Sequence, residues 1–239
     1  MSFDADMLAT LPMWFVAFLF STTCHEAAHG LAAKLGGDPT AAHGGQVSID
    51  PIPHIRREPV GMIVVPLISF FLLRGSWMIG WASAPYDPLW ASRHPRRAAW
   101  MAAAGPAANF VLVLLVAGVI HAGIAAGWLS QPAAADHTHI VVDAAGEANV
   151  GTMFLSVLFT LNLLLFLFNL LPVPPLDGQA AIGLFMKEDM ARRWNEISRS
   201  SGFAIVGLLV AWVIFGRVFG TVFVLALNAL YPGAGYGYS

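Results

Sequence analysis

Residues 8–33, LATLPMWFVAFLFSTTCHEAAHGLAA, form an apolar stretch that carries His25, Glu26 and His29 near its end. Two histidines four positions apart lie one above the other on a helix face, so both imidazoles can reach the same metal ion. The glutamate beside the first histidine is placed to take a proton from a water bound to that metal. The pattern therefore predicts a metal site at His25 and His29, with Glu26 as its acid and base.

The setting of this motif favours a functional role over a chance match. A helix on the surface of a soluble protein could carry the same three side chains at no cost. Inside a bilayer, each charged group near the middle costs about 2.5–3.5 kcal/mol, so ionisable residues are rare there unless they serve a function. The apolar residues before His25 therefore strengthen the prediction of a metal site.

The composition is that of an integral membrane protein. Hydrophobic residues make up 57% of the 239 residues and charged residues 11%, whereas soluble domains have about 25% charged residues. The net charge of −2 argues against a nucleic-acid partner, and the lone Cys24 excludes an internal disulfide. We therefore expect a multi-pass protein of the cell membrane, surrounded by the lipid bilayer.

Four apolar stretches are long enough to cross a hydrocarbon layer of about 30 Å as helices. They are residues 8–33, 98–128, 150–171 and 202–230, of which the third continues past several prolines to residue 186. A fifth apolar stretch, residues 60–82, is interrupted by Pro66, Arg74 and Gly75. Whether this stretch spans the membrane is decided better by charge than by hydropathy.

Lysine and arginine are distributed unevenly among the segments that connect these stretches. Residues 34–59, 83–97 and 187–201 contain three or four of them each, whereas residues 1–7, 129–149 and 231–239 contain none. The positive-inside rule places every basic segment in the cytoplasm only if residues 60–82 enter the membrane and return. We therefore predict four spans, an outside N-terminus and a re-entrant or interfacial hairpin at residues 60–82.

Residues 40–50 are polar, with Gly44 and Gly45 before an alternation of Val47 and Ile49. This pattern predicts a short β-strand or hairpin at the cytoplasmic face, with a plain loop as the alternative. The edge of such a strand would offer unpaired backbone groups to an extended peptide. The expected fold is an all-α polytopic membrane protein, a single domain over residues 1–239, with about four transmembrane helices, the hairpin and this short strand.

A catalytic zinc ion usually has three protein ligands, and Asp177 is the best candidate for the third. It lies in residues 169–178, NLLPVPPLDG, where three prolines break the helix and leave the carboxylate at an unwound point inside the membrane. Along a helix, His29 lies about 7–8 Å from the basic Lys34, and His25 lies about 13–14 Å from it. Asp177 lies at most about 15 Å from Lys187. The four-span topology therefore puts the histidines and the aspartate at similar depth.

Three motifs of this chain resemble those of the site-2 protease family, the intramembrane zinc metalloproteases. The matches are His25-Glu26-x-x-His29, residues 105–109 (GPAAN) and residues 169–178 (NLLPVPPLDG), in the order found in the family. Residues 49–54 (IDPIPH) and 80–82 (GWA) are similar to those of a compact branch of that family. The resemblance covers most of residues 24–178, and no stretch is long and polar enough for the PDZ or nucleotide-sensing domain of other members.

The resemblance implies roles for individual residues. By it, His25, His29 and Asp177 are ligands of one Zn²⁺ per chain, and Glu26 is the catalytic residue. Asn109 and Asn169 are expected to bind substrate or to support the site, although either amide could instead bond a neighbouring helix. The resemblance also implies a substrate that is a membrane-spanning protein segment, cut near the cytoplasmic face.

Two other functions remain open from the sequence. A metal-ion transporter would use intramembrane His and Asp side chains as a transit site, but it gives Glu26 no role, and four spans are few for alternating access. A non-proteolytic relative would bind membrane proteins without cutting them. Peptide-bond hydrolysis is favoured because every residue that the reaction needs is present. The sequence does not indicate the oligomeric state.

Overall fold

The computed structural model describes residues 5–198 and 201–237. The helices are α1 (Ala5–Leu35), α2 (Thr40–His43), α3 (Pro51–Arg57), α4 (Val65–Leu72), α5 (Pro88–Arg93), α6 (Pro95–Ala125), α7 (Val150–Asn169), α8 (Asp177–Ala181), α9 (Glu188–Ser198) and α10 (Ser201–Leu230). A π-helical turn, Val60–Val64, precedes α4, and a 3₁₀ turn, Ile182–Phe185, follows α8. Two short strands, β1 (Leu129–Ser130) and β2 (Val142–Asp143), pair antiparallel. The predicted helical class is confirmed.

Three helices in the described part of the chain are long and apolar enough to cross a membrane. They are Met7–Leu35, Pro95–Ala125 and Val150–Asn169. Ala204–Gly216 and Val218–Leu230 make a fourth candidate if the two halves of α10, bent by 46°, form one span. These helices correspond to the four predicted stretches. The side chain of Arg217, which lies at the bend and is unusual for an apolar segment, is outside the described residues.

Helices α1, α6 and α7 pack against one another at the centre of the molecule. Met101, near the start of α6, contacts His29, near the end of α1, whereas Asn109, further along α6, contacts Ser21. Helix α6 is therefore antiparallel to α1, and α7 returns antiparallel to α6. Large buried side chains fill the space between the helices, among them Trp14, Phe18, Phe70, Ile120, Ile140, Val157 and Leu161.

Both ends of α7 follow from local sequence. At its start, the Asn149 side chain accepts the backbone N–H groups of Gly151 and Thr152, and the Thr152 hydroxyl accepts the N–H of Asn149. This reciprocal cap satisfies donors that a helix leaves free in its first turn. The predicted third span, residues 150–186, is a regular helix only as far as Asn169. The prolines after it end the helix and leave an unwound segment before α8.

Residues 58–83 form a hairpin that leaves and rejoins the same end of the bundle. The hydroxyl of Ser83 donates to Glu58 Oε1 at 2.6 Å, and the N–H of Trp81 donates to the carbonyl of Gly61 at 3.1 Å. At the far end the chain reverses at Gly75, which has a φ of 77° and packs against Met7 at the start of α1. The chain reversal predicted for residues 60–82 is therefore present.

The short strand predicted within residues 40–50 is wrong, because these residues, all of them described, contain none. Thr40–His43 forms a helical turn, and α3 begins directly after Asp50. The Asp50 side chain accepts the N–H of Ile52 at 2.9 Å, and Pro51 occupies the first helical position. Capping and proline together start a helix where the alternation of Val47 and Ile49 was too short to specify a strand. The sheet β1–β2 lies between α6 and α7 instead.

The two ends of the bundle differ in charge. Tyr231 Oη donates to the carbonyl of Ile140 and Tyr236 Oη to that of Pro132, both at 2.7 Å, so the chain after α10 packs on the loop between α6 and α7. The N-terminal segment, the loop between α6 and α7 and the chain after α10 contain no Lys or Arg, and Arg74, in the hairpin turn, is the one such residue described at this end. At the opposite end, Trp90 of α5 donates to the Gly36 carbonyl after α1 at 3.0 Å. We call this the basic end: residues 34–59, 83–97 and 187–198.

Candidate metal centre

His25, His29 and Asp177 lie together at the point where the unwound segment after α7 ends. The Nε2 atoms of the two histidines are 3.0 Å apart, and Asp177 Oδ2 is 3.0 Å from one and 3.2 Å from the other. One nitrogen or oxygen from each of the three residues lies within 4.8 Å of the other two. Both histidines are buried, and Asp177 is partly buried. The structure therefore brings together all three residues for which the sequence predicts a metal-binding role.

Two local features bring Asp177 to the histidines across a long separation in sequence. The prolines after α7 release the chain from the helix, and Asp177 is the first residue of α8. Gly178 follows it and packs directly against the backbone of Leu170 and Leu171, where a Cβ atom would overlap the carbonyl groups. Because glycine has no side chain, α8 can fold back closely onto the end of α7.

The nitrogen of each imidazole that points away from the cluster, Nδ1, forms a hydrogen bond with an oxygen atom. His25 Nδ1 is 2.5 Å from Asn109 Oδ1, and His29 Nδ1 is 2.7 Å from the carbonyl of Met101. Because these oxygens can only accept, each Nδ1 carries a hydrogen, and each neutral ring presents the lone pair of Nε2 to the cluster. Two imidazole nitrogens and a carboxylate oxygen then converge without a donor between them. This donor set fits a zinc ion.

Gly105 leaves the space in front of these donor atoms open. It lies on α6 opposite the two histidines, and a Cβ atom at this position would overlap Nε2 of both His25 and His29. Any other residue would therefore place a Cβ atom in the space next to the two Nε2 atoms, where an ion would bind. The residues present fit a metal ion in both their chemistry and the room that they leave.

Glu26 lies beside the cluster and carries a buried carboxylate. The residue is 5% exposed, and its Oε2 atom has no hydrogen-bond partner among the described residues. A buried carboxylate oxygen without a partner is costly, and such groups are found where function requires them. Glu26, His29 and Asp177 together line a cavity of about 290 Å³. The cavity gives the Glu26 carboxylate access to a reacting molecule.

The wall of this cavity that faces the basic end is formed by several elements. Ala82 and Ser83 belong to the returning arm of the hairpin, Ala98 lies in the first turn of α6, and Asn195 lies on α9. Small side chains dominate this wall, while Ser83 and Asn195 add polar groups. The cavity therefore lies between the clustered residues and the segments of the basic end.

The returning arm is tied to the end of α1 by a buried aspartate. Asp38, which is 2% exposed, accepts the N–H of Thr40 at 3.0 Å and the N–H of Asp87 at 2.7 Å. Burial raises the pKa of the Asp38 carboxyl, but the hydrogen bonds from Thr40 and Asp87 outweigh burial and hold that pKa below its ordinary value. The ionised carboxylate therefore fixes the cavity wall against α1.

The two asparagines singled out from the sequence occupy different surroundings. Asn109 is fully buried and contacts His25 directly. Asn169, at the end of α7, donates to the carbonyl of Leu165 in the preceding turn at 3.0 Å and is not part of the cluster. A third asparagine, Asn162, was not singled out, yet it is fully buried and accepts a hydrogen bond from Asn109 at 2.8 Å. Its one sequence signal is an amide within an otherwise apolar stretch.

Comparison with known proteins places this chain in a family. The model of peptidase family M50 matches residues 13–211. YwhC of Bacillus subtilis is 32% identical over 176 residues, which cover 73% of this chain and 69% of that relative. Rip2 of Mycobacterium tuberculosis is 30% identical over 214 residues, which cover 88% of this chain and 71% of that relative. Both are named as zinc metalloproteases. No solved structure matches the chain.

The matched region spans the clustered residues and nearly all of the long helices. The matched region includes both clustered histidines, Gly105, Asn109 and Asp177. It also includes the three long apolar helices almost in full. The chain therefore belongs to peptidase family M50, the site-2 protease family of membrane zinc metalloproteases.

Proposed function

We propose that the protein hydrolyses a peptide bond within or next to a transmembrane segment of another membrane protein, near the cytoplasmic face. The observation that supports this most strongly is the convergence of His25, His29 and Asp177 beside Glu26, whose Oε2 has no hydrogen-bond partner among the described residues. Glu26, His29 and Asp177 border a cavity whose other walls come largely from segments of the basic end, where the apolar helices α1 and α6 meet them. A substrate segment therefore reaches these groups at the basic end of the spans.

In this proposal His25 Nε2, His29 Nε2 and Asp177 hold a Zn²⁺ ion. When bound, zinc acts as a Lewis acid that activates water and polarises a carbonyl group. Asn109 and the Met101 carbonyl keep both Nδ1 atoms protonated, so that both Nε2 atoms remain available to the ion. The carboxylate supplies the negative charge that a divalent cation requires in a low-dielectric site.

Glu26 is the general base and then the general acid of the proposed reaction. Its unpartnered Oε2 accepts the proton of the attacking water and passes it to the amine that leaves. A side chain already engaged in a strong hydrogen bond would lose that bond to accept the proton, whereas Glu26 has no such bond at Oε2. Ser83 and Asn195, which line the same cavity, offer polar contacts for water and for the substrate backbone.

A helical substrate must unwind before its backbone reaches the site, because its carbonyl groups are engaged in the helix. Residues 46–50 were expected to pair with the unwound part of the substrate, but they form no strand. We place that role on residues 82–84, in the non-helical returning arm of the hairpin, because they line the cavity. Backbone pairing there would replace the hydrogen bonds that the substrate loses.

The Glu26→Gln variant tests the proposed reaction. Glutamine has the same size but cannot accept the proton of the attacking water, so hydrolysis should fall by at least about 100-fold, the usual contribution of a general base. Zinc content should not change, because Glu26 is not a proposed ligand. The measurement compares membrane proteins from cells that express either form, since uncut precursors should accumulate only with the variant. Equal processing by both forms would contradict the proposed role.

A further inference from the structure

Three helices meet in a chain of hydrogen bonds that ends at His25. The chain begins at the carbonyl of Leu158 on α7, passes through Asn162 and Asn109, and reaches Nδ1 of His25 on α1. Both asparagines are fully buried. A buried amide can present either its oxygen or its NH₂ group to a neighbour. The sequence of donors and acceptors along these hydrogen bonds therefore decides which atom of Asn109 faces His25.

The orientation of Asn162 is fixed by its surroundings. Its Nδ2 lies 2.8 Å from the carbonyl of Leu158 and 2.9 Å from the hydroxyl of Ser21. The opposite orientation would place Oδ1 against the Leu158 carbonyl, and two acceptors at that distance repel. The NH₂ group therefore faces α7 and α1, and Oδ1 of Asn162 faces Asn109.

The orientation of Asn109 follows from that of Asn162. Its Nδ2 donates to Asn162 Oδ1 at 2.8 Å and to the Ser21 carbonyl at 3.4 Å, so both neighbours on that side are acceptors. Its Oδ1 is left to face His25 Nδ1 and requires a hydrogen there. In a neutral imidazole a hydrogen on Nδ1 leaves Nε2 with a lone pair.

We infer that Asn162 is a positioning residue that sets the orientation of the Asn109 amide and, through it, the His25 tautomer able to bind a cation. Without Asn162 the Asn109 amide can turn and present its NH₂ group to His25. That arrangement favours a hydrogen on Nε2, the atom that faces the cluster. The inference rests on the proposed zinc site, and it adds a residue on α7 that touches neither the ion nor the substrate.

The test is the zinc affinity of the purified full-length protein, measured by competition with a fluorescent zinc chelator. Removal of an outer partner of a metal-binding histidine typically lowers metal affinity about 10–100-fold. Asn109→Leu should show a loss in this range, and Asn162→Leu should show a loss of about tenfold. In the double variant, Asn162→Leu should cause no further loss, because it acts through Asn109.

Two matched variants separate this role from a general effect on packing. Asn162→Asp keeps an oxygen that accepts from Asn109, so its zinc affinity should stay within about threefold of the unchanged protein, even if the fold is less stable. Thr160→Val, two residues away on α7, changes a buried hydroxyl that has no described partner and should leave zinc affinity unchanged. The thermal stability of the metal-free forms reports packing separately.

Two results would overturn the inference alone. One is zinc affinity of Asn162→Leu equal to that of the unchanged protein. The other is an equal loss from Asn162→Leu whether or not Asn109 is present. Failure of the unchanged protein to bind zinc would instead overturn the proposed zinc site, and this inference with it.

Discussion

Gly105 is the residue at which the site has the least room. A single methyl group there would overlap Nε2 of both histidines. We expect Gly105→Ala to lower zinc affinity by at least about tenfold, the scale on which groups around a metal site act. Zinc bound to the purified variant, measured by elemental analysis, checks this expectation.

Gly118 provides the control for that substitution. It lies on the same helix, and a Cβ atom there would have no neighbour within 4 Å. Gly118→Ala should therefore keep full zinc content and stabilise α6 slightly, since alanine is favoured over glycine in helices by about 1 kcal/mol. Zinc binding by Gly105→Ala equal to that of the unchanged protein would show that the histidines do not bind the ion through Nε2.

At the scale of single residues, the sequence predicts side chains whose relation is local. His25 and His29 are related by the geometry of one helix, so their spacing alone brings them together. Asp177 is distant in sequence, but its depth in the membrane follows from the number of residues that separate it from the basic Lys187. The contacts of Asn162 with Asn109 and Ser21 depend on how three helices rotate against one another, which composition and spacing do not specify.

At the scale of elements, the hydrogen bonds of Asp38 hold the returning arm of the hairpin to the end of α1. Asp38→Asn should destabilise the protein by about 1–3 kcal/mol at neutral pH, because an NH₂ group would then face either Thr40 or Asp87, both of which donate. Thermal unfolding in detergent measures the loss. Glu147→Gln, at an exposed acid elsewhere, should have no comparable effect.

The pH dependence of this effect follows from the lowered pKa of Asp38. A carboxyl with a lower pKa in the folded state adds stability above its unfolded pKa of about 3.9. That contribution is lost as the pH falls through the folded value. The difference in stability between the unchanged protein and Asp38→Asn should therefore be constant from pH 5 to 7 and shrink in stronger acid. A difference that grows in acid would contradict this role.

The sequence predicted some secondary-structure elements and not others. The prolines after Asn169 predicted the end of α7 and an unwound stretch before Asp177, as observed. The strand expected in residues 40–50 failed because Asp50 and Pro51 start a helix, and helix initiation prevailed over a short alternation. The hydrogen bonds that join the arms of the hairpin, such as Ser83 to Glu58, depend on tertiary contact and have no separate signal in the sequence.

At the scale of the whole molecule, all basic connecting segments described lie at one end of the bundle. We expect this end to face the cytoplasm and the N-terminus to lie outside, in accordance with the positive-inside rule. In a Cys24→Ser background, a cysteine at Ala145 should react with a membrane-impermeant maleimide added to intact cells. A cysteine at His43, exposed at the basic end, should react only after the cells are opened.

The reverse labelling pattern would contradict the proposed orientation, and labelling of both positions in intact cells would exclude a single orientation. Either result would leave the geometry of the metal centre unchanged. The overall arrangement was predictable because charge and hydropathy act on whole segments. Counting lysines and arginines was enough to predict that residues 60–82 return to the end from which they start, as the hairpin does.

The most direct test of the metal centre is the amount and surroundings of zinc in the purified protein. X-ray absorption at the zinc edge, together with elemental analysis, should show one zinc per chain bound by two imidazoles and oxygen atoms. Glu26→Gln should retain this ion, and Asp177→Ala should lose it. A protein without zinc, or an Asp177→Ala variant that binds zinc as strongly as the unchanged protein, would contradict the proposed site.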